Sequence, residues 1–217
     1  MSTPVVSMSD VAEVRWAGDR ALLICPTGHD GLLDVVERLR DAALPGVEDI
    51  LPAAETVLLT LRDGSEQGVV ESEVRKALSG TASERAITAE RAEEVVIPVR
   101  YDGEDLADVA AILGTTVEDV IAEHTSRTWR CRFIGFTAGF GYLESDRGGL
   151  VVPRRRQSRT AVPAGAVALA DGFSAVYPRR APGGWQLIGT TELTMFDLSR
   201  PRPALLTAGT RVRFVRS

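Results

Sequence analysis

The chain has 217 residues, 44% hydrophobic and 25% charged, with 25 basic and 30 acidic side chains and a formal net charge of −5. That composition is ordinary for a globular protein, and no apolar run approaches the ~20 residues that a membrane span requires. Met1 to Asp10 lacks a basic segment followed by an apolar one, which predicts a cytoplasmic protein with no secretory signal and no membrane partner.

Val11–Trp16 and Arg20–Cys25 read as strands around the turn Ala17-Gly18-Asp19. Asp30 is placed to cap a helix whose apolar face is Leu32, Val35, Val36, Leu39 and Ala43, with Pro45-Gly46 ending it. Val47–Leu51 and Thr56–Leu61 read as strands, and Glu66–Leu78 as a second helix with Val70, Val74 and Leu78 inward. Two strands and a helix, twice over, imply a small two-layer α/β sandwich. Gly80–Glu94 is polar and aperiodic, which reads as a linker.

A strand at Val95–Arg100 opens the second half, followed by helices at Asp105–Leu113 and Val117–His124. Thr115 and Glu118 have the spacing of a capping box for the latter. From Thr128 onward short apolar stretches alternate with Gly, Pro and Asp turns. The best strands are Trp129–Phe136, Ala166–Ala170, Ser174–Tyr177, Gln186–Thr190, Thr194–Asp197 and Val212–Val215. Many short strands with regular turns argue for a barrel or sandwich. The predicted class is α+β, with an α/β domain and linker over residues 1–93 and a β-barrel domain over 94–217.

Charge and rare residues narrow the chemistry. Residues 1–93 carry 9 basic and 17 acidic side chains, whereas residues 94–217 carry 16 and 13. Seven arginines fall between Arg147 and Arg180, against the single acid Asp171. A pI of 5.2 and the lack of a basic helix interleaved with aromatics disfavour nucleic acid. A small anion or an acidic surface fits better, although Lys76 is the only lysine, so each arginine carries less information than usual. Cys25 and Cys131 read as small buried hydrophobes in a reduced compartment. With only His29 and His124 besides, no metal-ligand spacing exists and no metal site is predicted.

Four features have two readings each. His124 shares a helix face with Val120 and Ile121, as a packed histidine or as a proton donor. Gly135-Phe-Thr-Ala-Gly-Phe-Gly141 is either a strand-turn-strand corner or a nest of backbone N–H groups for an anion; it does not match a P-loop. Arg154, Arg155, Arg156 and Arg159, bracketed by Pro153 and Pro163, are a solvated edge or a rigid oxyanion site. Trp185, after Gly183-Gly184, reads as a core anchor.

The run Gly135-Phe-Thr-x-Gly-Phe-x-Tyr-Leu143, then Pro153-Arg-Arg155, Arg159, Val162-Pro-Ala-Gly165, Tyr177-Pro178, Pro182-Gly-Gly-Trp-x-Leu-Ile-Gly189 and Gly209-x-Arg-Val-Arg-Phe214, resembles the 5-oxoprolinase B-subunit family. This family is also called allophanate hydrolase subunit 1 and includes the kinase inhibitor KipI. Gly18-Asp19, Leu51-Pro52, Ile97-Pro98-Val99 with Tyr101, and Glu118-Asp-Val-Ile-x-x-His124 extend the resemblance over nearly the whole chain. It implies that the barrel is cyclophilin-like. It also implies a homologous second subunit, of the 5-oxoprolinase C-subunit or allophanate hydrolase subunit 2 type, in a heterodimer or heterotetramer. A third subunit would complete ATP-dependent opening of 5-oxoproline to glutamate, or a related amide hydrolysis. ATP, with Mg2+, is then a co-substrate, and no tightly bound cofactor is expected. By the same resemblance His124, Arg154 and Arg155 are expected in catalysis, and Gly135, Thr137, Gly139, Tyr142, Arg159 and Ser174 against substrate or nucleotide. The alternative is a non-catalytic, KipI-like inhibitor of a sensor histidine kinase.

Three departures from the family pattern stand out. Ala138 and Gly141 replace usual prolines, Gly172-Phe-Ser-Ala175 stands where Gly-x-Gln-Thr-Gly is usual, and Thr190 occupies a common arginine position. They predict a less rigid loop, a lost side-chain amide and a lost cation.

Overall fold

Residues 12–28, 31–79, 94–145, 147 and 150–217 are described by the computed structural model, and the chain divides into two units, Met1–Glu90 and Arg91–Ser217. In the first, β1 (Ala12–Trp16), β2 (Ala21–Pro26), α1 (Gly31–Ala42), β3 (Val47–Pro52), β4 (Val57–Leu61) and α2 (Gln67–Ser79) form an antiparallel sheet of order β1-β2-β4-β3 with two helices. Period-2 alternation in β2 and β4 buries Leu22, Ile24, Val57, Leu59 and Leu61 on one face. The 3.6-residue period of the helices brings Leu32, Val35, Val36, Leu39, Val70, Val74 and Leu78 onto them. Ala43, expected on the apolar face of α1, instead leaves the helix at φ 44° and is exposed. Val11, the expected cap Asp30 and linker residues 80–93 lie outside the described residues.

The second unit contains β5 (Val95–Val99), α3 (Leu106–Leu113), α4 (Val117–Ser126), β6 (Trp129–Ile134), β7 (Gly141–Ser145), β8 (Arg159–Val162), β9 (Ala166–Ala170), β10 (Phe173–Val176), β11 (Ala181–Gly183), β12 (Gln186–Thr190) and β13 (Arg211–Arg216). Seven strands form one sheet in the order β12-β9-β10-β7-β6-β13-β5. Its two edges meet where Arg100 and Thr190 exchange backbone hydrogen bonds of 2.8 Å each way. The sheet is thereby nearly closed into a barrel, which removes most of its free edge. β8 and β11 pair separately as a two-stranded ribbon.

Every residue of β9 is buried, because its two faces serve two clusters. Val167 and Leu169 join Ile97, Trp129, Cys131, Leu143, Val176, Ile188 and Phe214, so that all seven strands contribute to one interior, with Val109, Val120 and Ile121 from the helices. Ala166, Ala168 and Ala170 face the other way, under Phe140, Tyr177, Trp185 and Leu187. Each large side chain fully buried here contributes on the order of 1.5–3 kcal/mol.

Three details depart from the sequence reading. The capping box of α4 is Thr116 with Asp119, not Thr115 with Glu118. The cause is Gly114, whose left-handed conformation ends α3 and leaves Thr115 donating back to Ala110, so Thr116 is the first residue free to cap. Thr194–Asp197 is not a strand and makes only an isolated bridge, Phe196 to Ala204. β7, β8 and β11 have no counterpart among the strands expected from sequence. Among the described residues no helix is long and apolar enough to cross a membrane.

Candidate functional site

A β-bulge builds the outer face of the barrel. Cys131 pairs with Leu143 and Phe133 with Tyr142, which leaves Arg132 as the extra residue of β6. That insertion shifts the side-chain phase by one position. Cys131 therefore points into the interior, its thiol pushed up to about 12 by burial, while Phe133 stacks on Tyr142 with ring centroids 4.2 Å apart. Tyr142 also meets Phe140, Phe173 and Trp185 edge-on. Phe140 continues the contacts to Tyr177 and Phe136. Phe136 is 58% exposed and holds φ at +64°, a backbone conformation that costs a bulky residue energy and persists only where the surroundings fix it.

The arginines frame this aromatic cluster. Their loop is pinned by Gln186 Nε2 donating to the Pro153 carbonyl (3.0 Å) and Arg155 N–H donating to the Gly184 carbonyl (2.7 Å). Arg154 lies over the Trp185 ring at 5.9 Å and pairs with Asp171 at 3.0 Å. Arg156 is exposed. Arg155 and Arg159 converge on the carboxylate of Asp105, Arg159 at 2.8 Å, and this hydrogen bond is the main cause that raises the Arg159 pKa. Burial raises the Tyr177 phenol, opposed by a backbone hydrogen bond at Trp185 and by the charges of Arg154 and Arg159. Burial likewise raises Tyr142, opposed by Arg154. Two phenols, Trp185 and the guanidinium groups of Arg154 and Arg159 thus form one neighbourhood suited to a planar, partly apolar anion.

Asp105 is the residue that sequence reasoning missed. It occupies the N-cap position of α3, where an aspartate ordinarily accepts a helix N–H, yet it makes no such bond. It is 2% exposed, and its second oxygen accepts from Leu187 N–H at 2.7 Å. Gly103 permits the approach, since a Cβ there would lie 2.3 Å from the Leu187 carbonyl oxygen. The only signal in the sequence was a glycine two residues ahead of a capping aspartate.

His124 and Ser174 are brought together, but in the barrel interior. His124 is fully buried; Nδ1 meets Tyr101 Oη at 2.7 Å and Nε2 meets the buried Ser174 Oγ at 2.9 Å. Trp129 Nε1 donates to the His124 carbonyl at 3.0 Å, and the imidazole lies against Phe214 at 4.2 Å between centroids. Burial, reinforced by the charge of Arg127, pushes its pKa down to about 3, so the ring is neutral. Both ring nitrogens are engaged by protein hydroxyls.

The glycine loop closes the β6–β7 hairpin. Gly135 N–H donates to the Phe140 carbonyl, Thr137 N–H to Gly135 and Phe140 N–H to Thr137, so three of its amides are spent within the turn. Gly139 adopts φ +80° and packs against Phe196. Thr190 sits at the barrel closure, where its hydroxyl donates to Asp102 (2.9 Å) and accepts from Arg100 (3.1 Å). A cation, Arg100, thus stands beside position 190 just past the end of β5. Among the described residues no group of three or more His, Cys, Asp or Glu side chains could hold a metal ion.

Residues 12–206 match the family described as carboxyltransferase domain, subdomain C and D. A protein of Escherichia coli O157:H7, named as the B subunit of 5-oxoprolinase, is 36% identical over 184 residues, 83% of this chain and 82% of its own length. The Haemophilus influenzae protein of the same name is 44% identical over 124 residues, 56% of this chain and 58% of its own length. The solved structure of TTHA0988 superposes with a TM-score of 0.75 at 35% identity, covering 91% of this chain but 40% of that one. The fold of this chain therefore spans less than half of that longer polypeptide.

Proposed function

This chain belongs to the 5-oxoprolinase B-subunit family, and from that premise we propose that it works as one component of an ATP-dependent amide hydrolase that opens 5-oxoproline to glutamate. The observation that carries the reading is the 36% identity to the E. coli protein over more than four-fifths of both chains. A five-membered lactam resists direct hydrolysis. Transfer of the γ-phosphoryl group of ATP to the amide oxygen, with loss of ADP, makes the ring carbon attackable by water. Collapse of the adduct breaks the ring C–N bond as the nitrogen takes a proton, and a second water releases phosphate from the resulting acyl phosphate to leave glutamate. Such a step demands cations placed in advance around developing oxyanions and a site shielded from bulk water.

Arg154, Arg155 and Arg159 supply the cations, and Tyr142, Tyr177 and Trp185 the apolar wall, in this proposal. Mg2+ would enter with the nucleotide, held chiefly by its phosphates. His124 and Ser174 act on the site indirectly, by fixing β10, whose outer face carries Phe173 and Ala175. The hairpin loop of Gly135, Thr137 and Gly139 shapes the rim through Phe136. A homologous second subunit, with a third, would complete the pocket. The large remainder of the TTHA0988 chain is consistent with that division of labour.

Co-expression of the chain with the candidate second and third subunits, followed by ADP release with and without 5-oxoproline, tests the reading. Release stimulated by 5-oxoproline only when this chain is present is expected. A stable complex without that stimulation would overturn it.

A further inference from the structure

The arginine cluster is held from below by a single carboxylate. Asp105 Oδ1 accepts from both Arg155 Nη1 and Arg159 Nη2, so the two guanidinium groups lie within one hydrogen bond of the same atom. Asp105 Oδ2 is committed to Leu187 N–H. Glu104 also reaches Arg159, at 3.3 Å, but its side chain is 75% exposed and water screens it. Two positive charges therefore face one buried negative charge. Arg155 Nε and Arg159 Nη1 are themselves buried, and among the described residues no protein acceptor takes either of them. Buried charged donors are ordinarily satisfied, and two such donors on guanidinium groups that share one carboxylate oxygen call for an acceptor of opposite charge.

We propose that Asp105 is a positioning residue that fixes Arg155 and Arg159 as the donors of an oxyanion subsite, taking a carboxylate or a phosphoryl group. The helix cap that Asp105 forgoes is the local cost of this arrangement. By clamping one edge of each guanidinium group it leaves Nε of Arg155 and Nη1 of Arg159 with fixed directions, which is what bidentate recognition of an oxyanion requires. The identity of the anion, substrate carboxylate or nucleotide phosphate, rests on the hydrolase reading above, whereas the subsite can be tested without turnover.

The sign of the electrostatics separates positioning from simple charge. Deleting the negative charge of Asp105 should strengthen anion binding if only Coulomb attraction matters. It should weaken binding if Asp105 holds the donors in place. The full chain is titrated with inorganic phosphate, and separately with acetate, at matched ionic strength, following the arginine Nε–H resonances. Arg155→Lys and Arg159→Lys assign the two signals.

Phosphate or acetate should shift both resonances, the tighter of the two naming the source of the anion. Asp105→Asn should weaken that affinity by about tenfold, the loss of roughly one charge-assisted hydrogen bond, and Asp105→Glu should recover part of it. Equal or tighter binding by Asp105→Asn, or no shift of either resonance in the native chain, overturns the proposal. Should Asp105→Asn not fold, Arg159→Gln must by itself weaken binding to a similar degree, and unchanged affinity there overturns the proposal too. Phosphate binding as expected in a complex that does not hydrolyse 5-oxoproline supports the subsite and removes only the substrate assignment.

Discussion

Lowering the pH from 7 to 5 is expected to remove about 2 kcal/mol of stability from the barrel unit, through His124. An unfolded histidine titrates near 6.5, whereas burial in the barrel pushes this one down to about 3. Between those values the unfolded chain binds a proton that the folded chain refuses, so stability is fully present above about pH 6.5 and falls as the pH drops toward 3. The slope approaches about 1.4 kcal/mol per pH unit. Integrated from pH 7 to 5, it gives the figure of about 2 kcal/mol. Carboxylates held low by partners, such as Asp102, Asp119 and Asp197, act in the same direction but add little between pH 7 and 5, because their losses begin only as the pH falls into the usual carboxylate range. Hydrogen exchange of the β9 and β12 amides in the full chain, at pH 7 and pH 5 and corrected for intrinsic rates, reads the difference directly. His124→Gln should be less stable at pH 7 but nearly flat across the same interval. Equal protection at both pH values, or an imidazole that titrates near 6.5 by NMR, would refute the reasoning.

Gly183→Ala places a Cβ 2.1 Å from the Tyr177 hydroxyl oxygen, and such overpacking should cost about 1–3 kcal/mol; Tyr177→Phe in the same chain should recover part of the lost melting temperature, since the clashing oxygen is gone. Thr116→Ala removes the cap of α4 and should cost about 1 kcal/mol in urea unfolding. Arg154→Ala should change stability by less than about 1 kcal/mol, because its pair with Asp171 is exposed, while lowering the 5-oxoproline-stimulated ADP release of the assembled complex at least tenfold. A fully active complex would exclude Arg154 from the site.

Periodicity made the helices and the inner strands legible. Leu32, Val35, Val36 and Leu39 announce α1 by spacing alone, and the unbroken apolar run Ala166–Ala170 announces a strand buried on both faces. What stayed hidden depends on partners distant in sequence. β8 and β11 are short and hold only each other, so neither carries an alternation long enough to read. The bulge at Arg132 cannot be seen without knowing that Tyr142, not Leu143, faces Phe133. Asp105 read only as the first residue of a helix, which needs no more than local sequence, whereas its partners lie some fifty residues or more along the chain, at Arg155, Arg159 and Leu187. The neutrality of His124 likewise follows from enclosure by Trp129 and Phe214 rather than from its place at a helix end, where the helix dipole alone would have favoured its charged form.

The two faces of the barrel wall divide the work. Inside, the polar side chains are spent on one another: His124 on Tyr101 and Ser174, and Trp129 Nε1 on the His124 carbonyl. A proton donor must reach the atom it serves, whereas the His124 ring is fully buried with both nitrogens engaged by protein hydroxyls. Outside, Phe136 is exposed at a strained angle, and Arg155 and Arg159 keep buried donors that, among the described residues, no protein group accepts. Strain and unsatisfied charge are both costly, and a ligand or a second chain bound at Phe136 and the arginines would offset them. The site proposed for this unit is therefore on the outer wall over β7, β9 and β10, and the hydrogen bonds of His124 tie α4 to Ser174 of β10 on the opposite side of that wall.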